Sequence, residues 1–527
     1  MPAIAKRLAN ALEKLKAYQD NAAHPSIVRS QTLSSSDREV LVQAGYLFEI
    51  MKGWWLAGRP DVNPRDSAAW YPNFWLFASL YLKDRFKDEF CLSAEHSLLV
   101  LTADQTVPTQ IVVMVNRRVA QKLDLKLGSS IFMYPETNAF PKNRVEERGL
   151  WVMSMPEALS RTTETHLQKN PVTVTTALRA VDKDALKRKL IDGGHSKVAG
   201  WVAGGWRALG FADDADDLVN VMSLAGFKVA EKNPFSKEFQ ELTKASGTKT
   251  PHALRIEAMW AAMRESVVKL FGEPPARKND KERFLAETRD IFTHDAYNSL
   301  SIEGFRVTAE LIEKVRTGSW HSDKLPEDMQ TKNALAARGY RYAFDAVMES
   351  IGQILSGADP SDTVRRDHRR WYAQMFEPMV QMNIIKPADL AGYRRDTVII
   401  ANARHVPPQH TSVSDCMETL FGLVKEEKHP AVRAALAHVF YEYIHPYIDG
   451  NGRTGRFLMN VLFAAGGYPW VIVPFDQRKR YLEAMGSASE RGDAAPLSEL
   501  LLEGVRAAPT YRDTSTEKVE RYYSRRP

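Results

Sequence analysis

The chain lacks most of what would place it outside ordinary globular proteins. Two cysteines in 527 residues, Cys91 and Cys416, exclude a disulfide scaffold and a Cys-rich zinc site. Such cysteine poverty points to a reducing compartment. No stretch approaches the ~18 uninterrupted apolar residues of a membrane span. The opening residues, Met1-Pro2-Ala3-Ile4-Ala5-Lys6-Arg7, contain neither an apolar core nor a small-residue cleavage site, so the expectation is a cytoplasmic protein without a membrane partner. Charge of one sign is also lacking. Lys and Arg number 71 against 65 Asp and Glu, a net +6, which permits a phosphate or nucleic-acid partner without demanding one. No internal repeat is evident. What is present, 44% hydrophobic and 26% charged residues, is an ordinary globular balance. The length suggests about three or four domains.

Near the N-terminus, Ile4, Leu8, Leu12 and Leu15 share one helical face, predicting a leading helix that ends near Asp20. Ser36 and Glu39 have capping-box spacing, predicting a second helix that Gly45 stops. Tyr46–Met51 and Trp54–Ala57 about Lys52-Gly53 read as a hairpin. Helix then hairpin is the order of a winged helix, with 35–44 as its recognition helix. Arg29, Gln31, Ser35, Arg38 and Lys52 could touch DNA there, though solvated polar residues at a helix start look the same. Trp54 and Trp55 are read as packing residues. Further on, Leu98–Leu101 and Gln110–Val115 read as buried strands. Gly200, Gly204 and Gly205 read as turns and close packing, since the strand-loop-helix context of a phosphate fingerprint is missing. From about 236 the pattern is helical. Pro274-Pro275 and Arg277–Asp280 look like a linker, and Thr510–Pro527 like a loose tail.

Chemistry concentrates in His445-Pro446-Tyr447-Ile448-Asp449-Gly450-Asn451-Gly452-Arg453-Thr454-Gly455-Arg456. A helix over 431–444 should end at His445, because the following proline disfavours helix there. A second helix is expected over 457–465. Gly450 and Gly452 let backbone amides turn inward, and a helix N-terminus adds unpaired N–H groups. Arg453 and Arg456 can fork onto phosphate oxygens. Asp449 offers the oxygen ligand that magnesium prefers beside phosphates. His445 has the near-neutral pKa suited to taking a proton from a hydroxyl. Together these are the parts of a phosphoryl-transfer site.

This run resembles the signature of Fic-domain proteins, His-Pro-Phe-x-Asp/Glu-Gly-Asn-Gly-Arg-x-x-Arg, departing from it only at Tyr447. Tyr393–Asp396, Val398–Ile400 and Val406–Pro408 resemble the family's upstream strand and flap, and Arg478–Tyr481 its downstream flank. The resemblance implies AMP transfer from ATP to a Ser, Thr or Tyr hydroxyl of a protein or of the chain itself. On that basis His445 is the base and Asp449 holds Mg2+. Gly450, Asn451, Gly452, Arg453 and Arg456 bind the phosphates, and a target protein docks along the flap. The intact Gly452 favours adenylyl transfer over the phosphorylating branch. Ser299-Leu300-Ser301-Ile302-Glu303-Gly304 resembles the family's inhibitory pattern, in which Ser299, Glu303 and Gly304 set a glutamate against Arg456. In some relatives that glutamate helps to remove AMP. The N-terminal part more loosely resembles AbiEi-type antitoxin or regulator proteins, through Gly53-Trp54-Trp55-Leu56, Phe74-Trp75-Leu76-Phe77, Tyr81-Leu82 with Arg85-Phe86, and Leu92-Ser93-Ala94-Glu95. It implies DNA binding.

The expected fold is therefore multidomain. A winged helix fills 1–60, an AbiEi-like α/β domain 61–235 and a helical linker 236–284. A mainly α-helical Fic domain with a small β-hairpin flap fills 285–505, and a charged tail 506–527. The alternative function is a DNA-binding regulator whose Fic domain senses nucleotide or removes AMP. His438, Glu442 and His445 could be drawn as a metal site, but one Glu-x-x-His is too little, so His438 is read as packed or hydrogen-bonded. Neither cysteine has a neighbouring base. A homo-oligomer stays open.

Overall fold

A computed structural model describes residues 2–58, 70–125, 128–235, 249–276, 278–319, 329–400 and 403–513. The expected tail beyond 513, and residues 236–248 and Arg277 of the expected linker, lie outside them. The chain forms two compact units. One is 1–255 with 399–407, and the other is 256–398 with 408–527.

The first unit opens with a helix, Pro2–Asn21, and then β1 (Ile27–Arg29), a helix Ser35–Gln43, β2 (Leu47–Met51) and β3 (Trp54–Ala57). The strands form an antiparallel sheet in the order β1-β3-β2. Leu15 and Ala11 of the first helix pack on Leu41, Leu33, Val28 and Leu47, and Leu8 and Leu12 of the expected stripe are half-buried against the same cluster, while the Ile4 side chain lies outside the described residues. The second helix is capped by Ser34 and not by a Ser36–Glu39 box. Ser34 Oγ accepts from Asp37 N at 3.1 Å. Lys14 Nζ, 2.8 Å from Asp37 Oδ2, favours that register among three serines.

A second sheet runs β4 (Phe90–Leu92), β5 (Gln110–Val115), β7 (Ser130–Pro135) and β6 (Gln121–Asp124), in the order β4-β5-β7-β6 with β5 and β7 parallel. Phe74, Phe77, Leu82 and Phe86 of the helix Tyr71–Phe86 share its core with Trp54, so Trp54 is a packing residue. Leu98–Leu101 is not a strand but the end of a helix, Ala94–Leu101. Ser93 caps that helix, and a short buried apolar run has no period that separates the two structures. A hairpin of β8 (Arg144–Glu147) and β9 (Leu150–Met153) and six helices complete the unit to Leu224. Gly200 and Gly204 lie inside the helix Ser196–Ala208, not at turns. A Cβ on either would collide with the backbone at Ala230 or Lys232.

The expected β-hairpin flap does not form among the described residues. Among the described residues of 385–412 no strand forms. Residues 404–406 find their backbone partners in 105–107 of the same unit. Val107 N donates to Arg404 O at 3.0 Å and Val406 N to Gln105 O at 2.9 Å. Arg404 lies 5.3 Å over the Tyr71 ring.

Among its described residues, the second unit contains helices without strands. The long helices Met329–Leu355 and Pro360–Gln381 pair. Both pack on the helix Asn451–Ala465, where Phe344 lies 6.4 Å from the Phe457 ring and Trp371, Met375, Leu458 and Leu462 are buried. The helix Pro430–Ile444 is apolar nearly all round, as a central helix must be. Asn279, in the expected linker, is pinned by its amide to Ala464 O and Tyr468 O. No described helix is long and apolar enough to cross a membrane. Both cysteines are buried, which pushes their thiols up to about 12.

Candidate active site

The loop between Pro430–Ile444 and Asn451–Ala465 begins where Pro446 stops the first helix. His445 takes the left-handed conformation, φ 51° and ψ 63°. That is costly for a residue with a Cβ and persists only where surroundings enforce it. Arg394 does so. Its Nε donates to His445 O at 2.8 Å, its Nη1 to Asp396 O at 2.9 Å and its Nη2 to Pro408 O, while its main-chain N donates to Pro446 O at 2.9 Å. The guanidinium is buried among carbonyls, and burial pulls its pKa down to about 10. Tyr447 lies flat on Tyr372, with centroids 3.7 Å apart.

The second helix starts at Asn451, six residues earlier than expected, because Gly450 serves as its N-cap at φ 79°. The loop amides therefore form the helix N-terminus itself. Asn451 was expected to bind phosphate. Its side chain instead clasps the loop, accepting from Tyr447 N at 2.9 Å and donating to Tyr447 O at 2.8 Å. Asp449 Oδ1 accepts from Gly450 N at 2.6 Å and from Arg453 Nη2 at 3.3 Å. Its side chain is 63% exposed, which leaves a carboxylate at the lip of the loop where a cation could reach it. Among the described residues no group of three or more His, Cys, Asp or Glu could hold a metal. A magnesium ion here would be held by Asp449 together with phosphate oxygens.

Arg453 is fully buried, 5.0 Å from the Phe305 ring and 5.3 Å from that of Phe376. Its Nε and Nη1 have no hydrogen-bond partner among the described residues, nor does Arg456 Nη1. Arg456 Nη2 donates to Glu303 Oε1 at 2.8 Å and to Ser299 O at 2.9 Å, and its Nε donates to Ser299 Oγ at 3.0 Å. Burial pulls Arg456 towards neutrality, but Glu303 and Tyr481 outweigh it and hold the guanidinium charged. The Glu303 carboxylate lies against Gly452, where any Cβ would collide with it. A carboxylate thus occupies the mouth of a helix N-terminus beside two buried guanidiniums, which is the position of an anion. Ser299 and Glu303, named from sequence, converge here with Gly452 and Arg456, while Gly304 follows Glu303 in an exposed left-handed turn at φ 88°.

Sequence reasoning assigned no role to the parts that brace the helix before Glu303, naming Arg478 only within a downstream flank. Buried Asp295, on the helix Phe292–Ile302, accepts from Tyr340 Oη at 2.6 Å and from Trp470 Nε1 at 2.9 Å. Burial pushes its carboxyl up to about 6. Arg478 Nε caps the helix end through Ile302 O at 2.7 Å. Arg394 and Glu442 were named from sequence, but for other places: Arg394 within the flap run Tyr393–Asp396, and Glu442 in a His438–Glu442–His445 metal set that was set aside.

His445 Nδ1 lies 3.3 Å from Glu442 O, which leaves Nε2 for the loop side. Burial pushes its pKa down to about 4, so the ring is neutral and able to accept a proton. His438 is buried, with Nε2 2.8 Å from Tyr481 Oη, the hydrogen-bonded role expected of it. The DNA-contact candidates do not gather at this site. Arg29 forks onto Asp84 at 2.8 and 2.9 Å and stacks on Trp54. Arg38 donates to Ser30 O, Leu33 O and Ser35 Oγ. Lys52 and Gln31 are exposed.

Residues 360–463 match the Fic/DOC family, so the chain carries a Fic/DOC domain there. Among similar curated proteins, protein adenylyltransferase Fic of Drosophila erecta is 39% identical over 119 residues, 22% of this chain and 23% of that protein. Its Drosophila willistoni counterpart is 40% identical over 116 residues, 21% and 23%. The chain thus matches under a quarter of the length of these relatives. Among solved structures, Fic-1 of C. elegans aligns with 65% of this chain and 98% of its own, at 18% identity and TM-score 0.36. A Fic domain containing signaling protein from Bacteroides thetaiotaomicron aligns with 50% and 96%, at 15% identity and TM-score 0.35.

Proposed function

We propose that the chain is a protein adenylyltransferase that transfers AMP from ATP to a hydroxyl of a protein or of itself, held in check by Glu303 against Arg456. One observation carries the reading: the Glu303 carboxylate lies against Gly452, bonded to Arg456, beside buried guanidinium N–H groups without partners among the described residues. A site built for anions is filled by the chain's own anion.

With Glu303 displaced, Arg456 and the loop amides would take the terminal phosphates, and Arg453 the neighbouring oxygens. His445 Nε2 would accept the proton of the attacking hydroxyl as its oxygen bonds to the α-phosphorus and pyrophosphate leaves in line. Magnesium at Asp449 would neutralise phosphate charge. Arg394 would keep Nε2 aimed at the loop. A target strand would dock beside the segment 398–408. The test is transfer with ATP labelled at either the α- or the γ-phosphate. Protein-bound label from the α position alone supports adenylyl transfer, and label from the γ position makes it a kinase.

A second reading is a DNA-binding regulator acting through the N-terminal unit, in which the Fic domain senses nucleotide or removes AMP. The order helix, strand, helix, hairpin in residues 2–57 favours it, with exposed Gln31 and Lys52 at the contact face. A gel shift on the DNA upstream of its gene, at low and high salt, tests it. No specific shift at low salt, where phosphate contacts are strongest, rejects it.

A further inference from the structure

Glu442 stands in the last turn of the apolar helix that ends at His445, three residues before it. Its Oε2 lies 3.7 Å from His445 Nδ1, with the two side chains 15% and 18% exposed. Its Oε1 has no hydrogen-bond partner among the described residues. Space for the carboxyl comes from Gly455, where a Cβ would lie 2.6 Å from Glu442 Oε1 and 3.0 Å from His438 Nδ1. A carboxyl group placed in an apolar helix beside an imidazole, with one oxygen unpaired, is expensive packing unless it has a task.

We propose that Glu442 is a positioning residue for His445: it faces Nδ1, keeps Nε2 turned to the loop, and its negative charge stabilises the imidazolium formed when a proton arrives at Nε2. The inference rests on the adenylyl-transfer reading of the site. The proton comes from the attacking hydroxyl and stays on the ring until it leaves to solvent. At 3.7 Å the carboxylate acts through its charge and takes no proton from Nδ1.

The groups around the pair set the sign of the pH dependence. Glu442 faces Glu303 at the end of Phe292–Ile302, Arg456 on the following helix, His438 and His445 on its own, and Tyr481 on Arg478–Arg491. His445 also feels Arg394 and Asp449. Burial and then the charge of Glu303 push the Glu442 carboxyl up to about 8, against the pull of Arg456. Near neutrality in the resting chain Glu442 is therefore protonated and gives His445 little help. Removing Glu303 removes one of the two raising influences, so Glu442 ionises at lower pH.

Two experiments test this. In a Glu303→Gly background, kcat and the KM for ATP are followed against pH for the parent, Glu442→Gln and Glu442→Asp, with His445→Ala as blank. The parent kcat should rise through a midpoint below about 8. Glu442→Gln should lose that rise and run about tenfold slower on its alkaline side, with KM unchanged. Glu442→Asp should recover part of it. Equal pH profiles for the parent and Glu442→Gln overturn the proposal, whereas an inactive parent counts against adenylyl transfer itself. The second measurement needs no turnover. Ring resonances of His445 in the otherwise unaltered chain should report Nδ1 protonated and shift as pH passes about 8. Glu442→Gln should abolish that shift. A shift that survives the substitution, or a ring protonated at Nε2, overturns the proposal whatever the activity.

Discussion

Arg456 Nη2 and Glu303 Oε1, 153 residues apart in sequence, meet at 2.8 Å. The guanidinium is 6% exposed and the carboxylate 29%. A charge-assisted bond with one partner so withdrawn from water is among the stronger polar contacts a protein makes. Opening it requires an anion that satisfies Arg456 equally well, and a polyphosphate is such an anion.

Arg394 is predicted to be essential for loop geometry. Its guanidinium serves four carbonyls along the loop's approach, those of His445, Asp396, Pro408 and Ile444. Arg394→Ala should lower unfolding free energy by about 3 kcal/mol, the range for buried hydrogen bonds to a charged group. It should also abolish transfer in a Glu303→Gly background. Denaturant titration and the transfer assay, run together, check both. Full activity in Arg394→Ala would show that His445 keeps its left-handed backbone unaided.

Asp449 is predicted to set the magnesium requirement. Chelation with EDTA should stop transfer, and added Mg2+ should restore it. Asp449→Ala should raise the half-saturating Mg2+ concentration at least ~10-fold, the scale of losing one supporting ligand. An unchanged Mg2+ dependence would move the cation elsewhere.

Acid should weaken the fold through its buried imidazoles. Burial pushes His438 down to about 3, and His368 and His445 to about 4. The unfolded chain, with histidines near 6.5, binds more protons below that pH. Each ring therefore contributes stability that is lost as pH falls through its window. Asp295 and Glu442, raised to about 6 and about 8, act in the opposite direction. One imidazole is isolated by comparing slopes. His438→Gln should flatten stability against pH by about 1.4 kcal/mol per unit between 6.5 and 4. Parallel slopes would mean that His438 is protonated in the folded state.

The loop was legible because its chemistry is local. His445, Asp449, Gly450, Gly452, Arg453 and Arg456 lie within twelve residues, and proline and glycine mark both its edges. Ser299 and Glu303 were legible only as a pattern, since no local rule brings residue 303 to residue 456. The illegible parts all depend on distant partners. Leu98–Leu101 became helix through a cap at Ser93. Residues 404–406 found their backbone partners at 105–107 and formed no hairpin. Arg29 and Arg38, read as possible DNA contacts, are engaged within the chain, Arg29 by the exposed Asp84 and Arg38 by carbonyls of its own turn. Asn451 was read as a phosphate ligand because polar residues in such loops often are, yet its short side chain reaches only Tyr447.

The most direct measurement is the intact mass of the purified full chain after incubation with Mg2+ and ATP, for wild type, Glu303→Gly and Glu303→Gly/His445→Ala. The account predicts an added AMP on Glu303→Gly alone. The same adduct on wild type, or its persistence without His445, would contradict it.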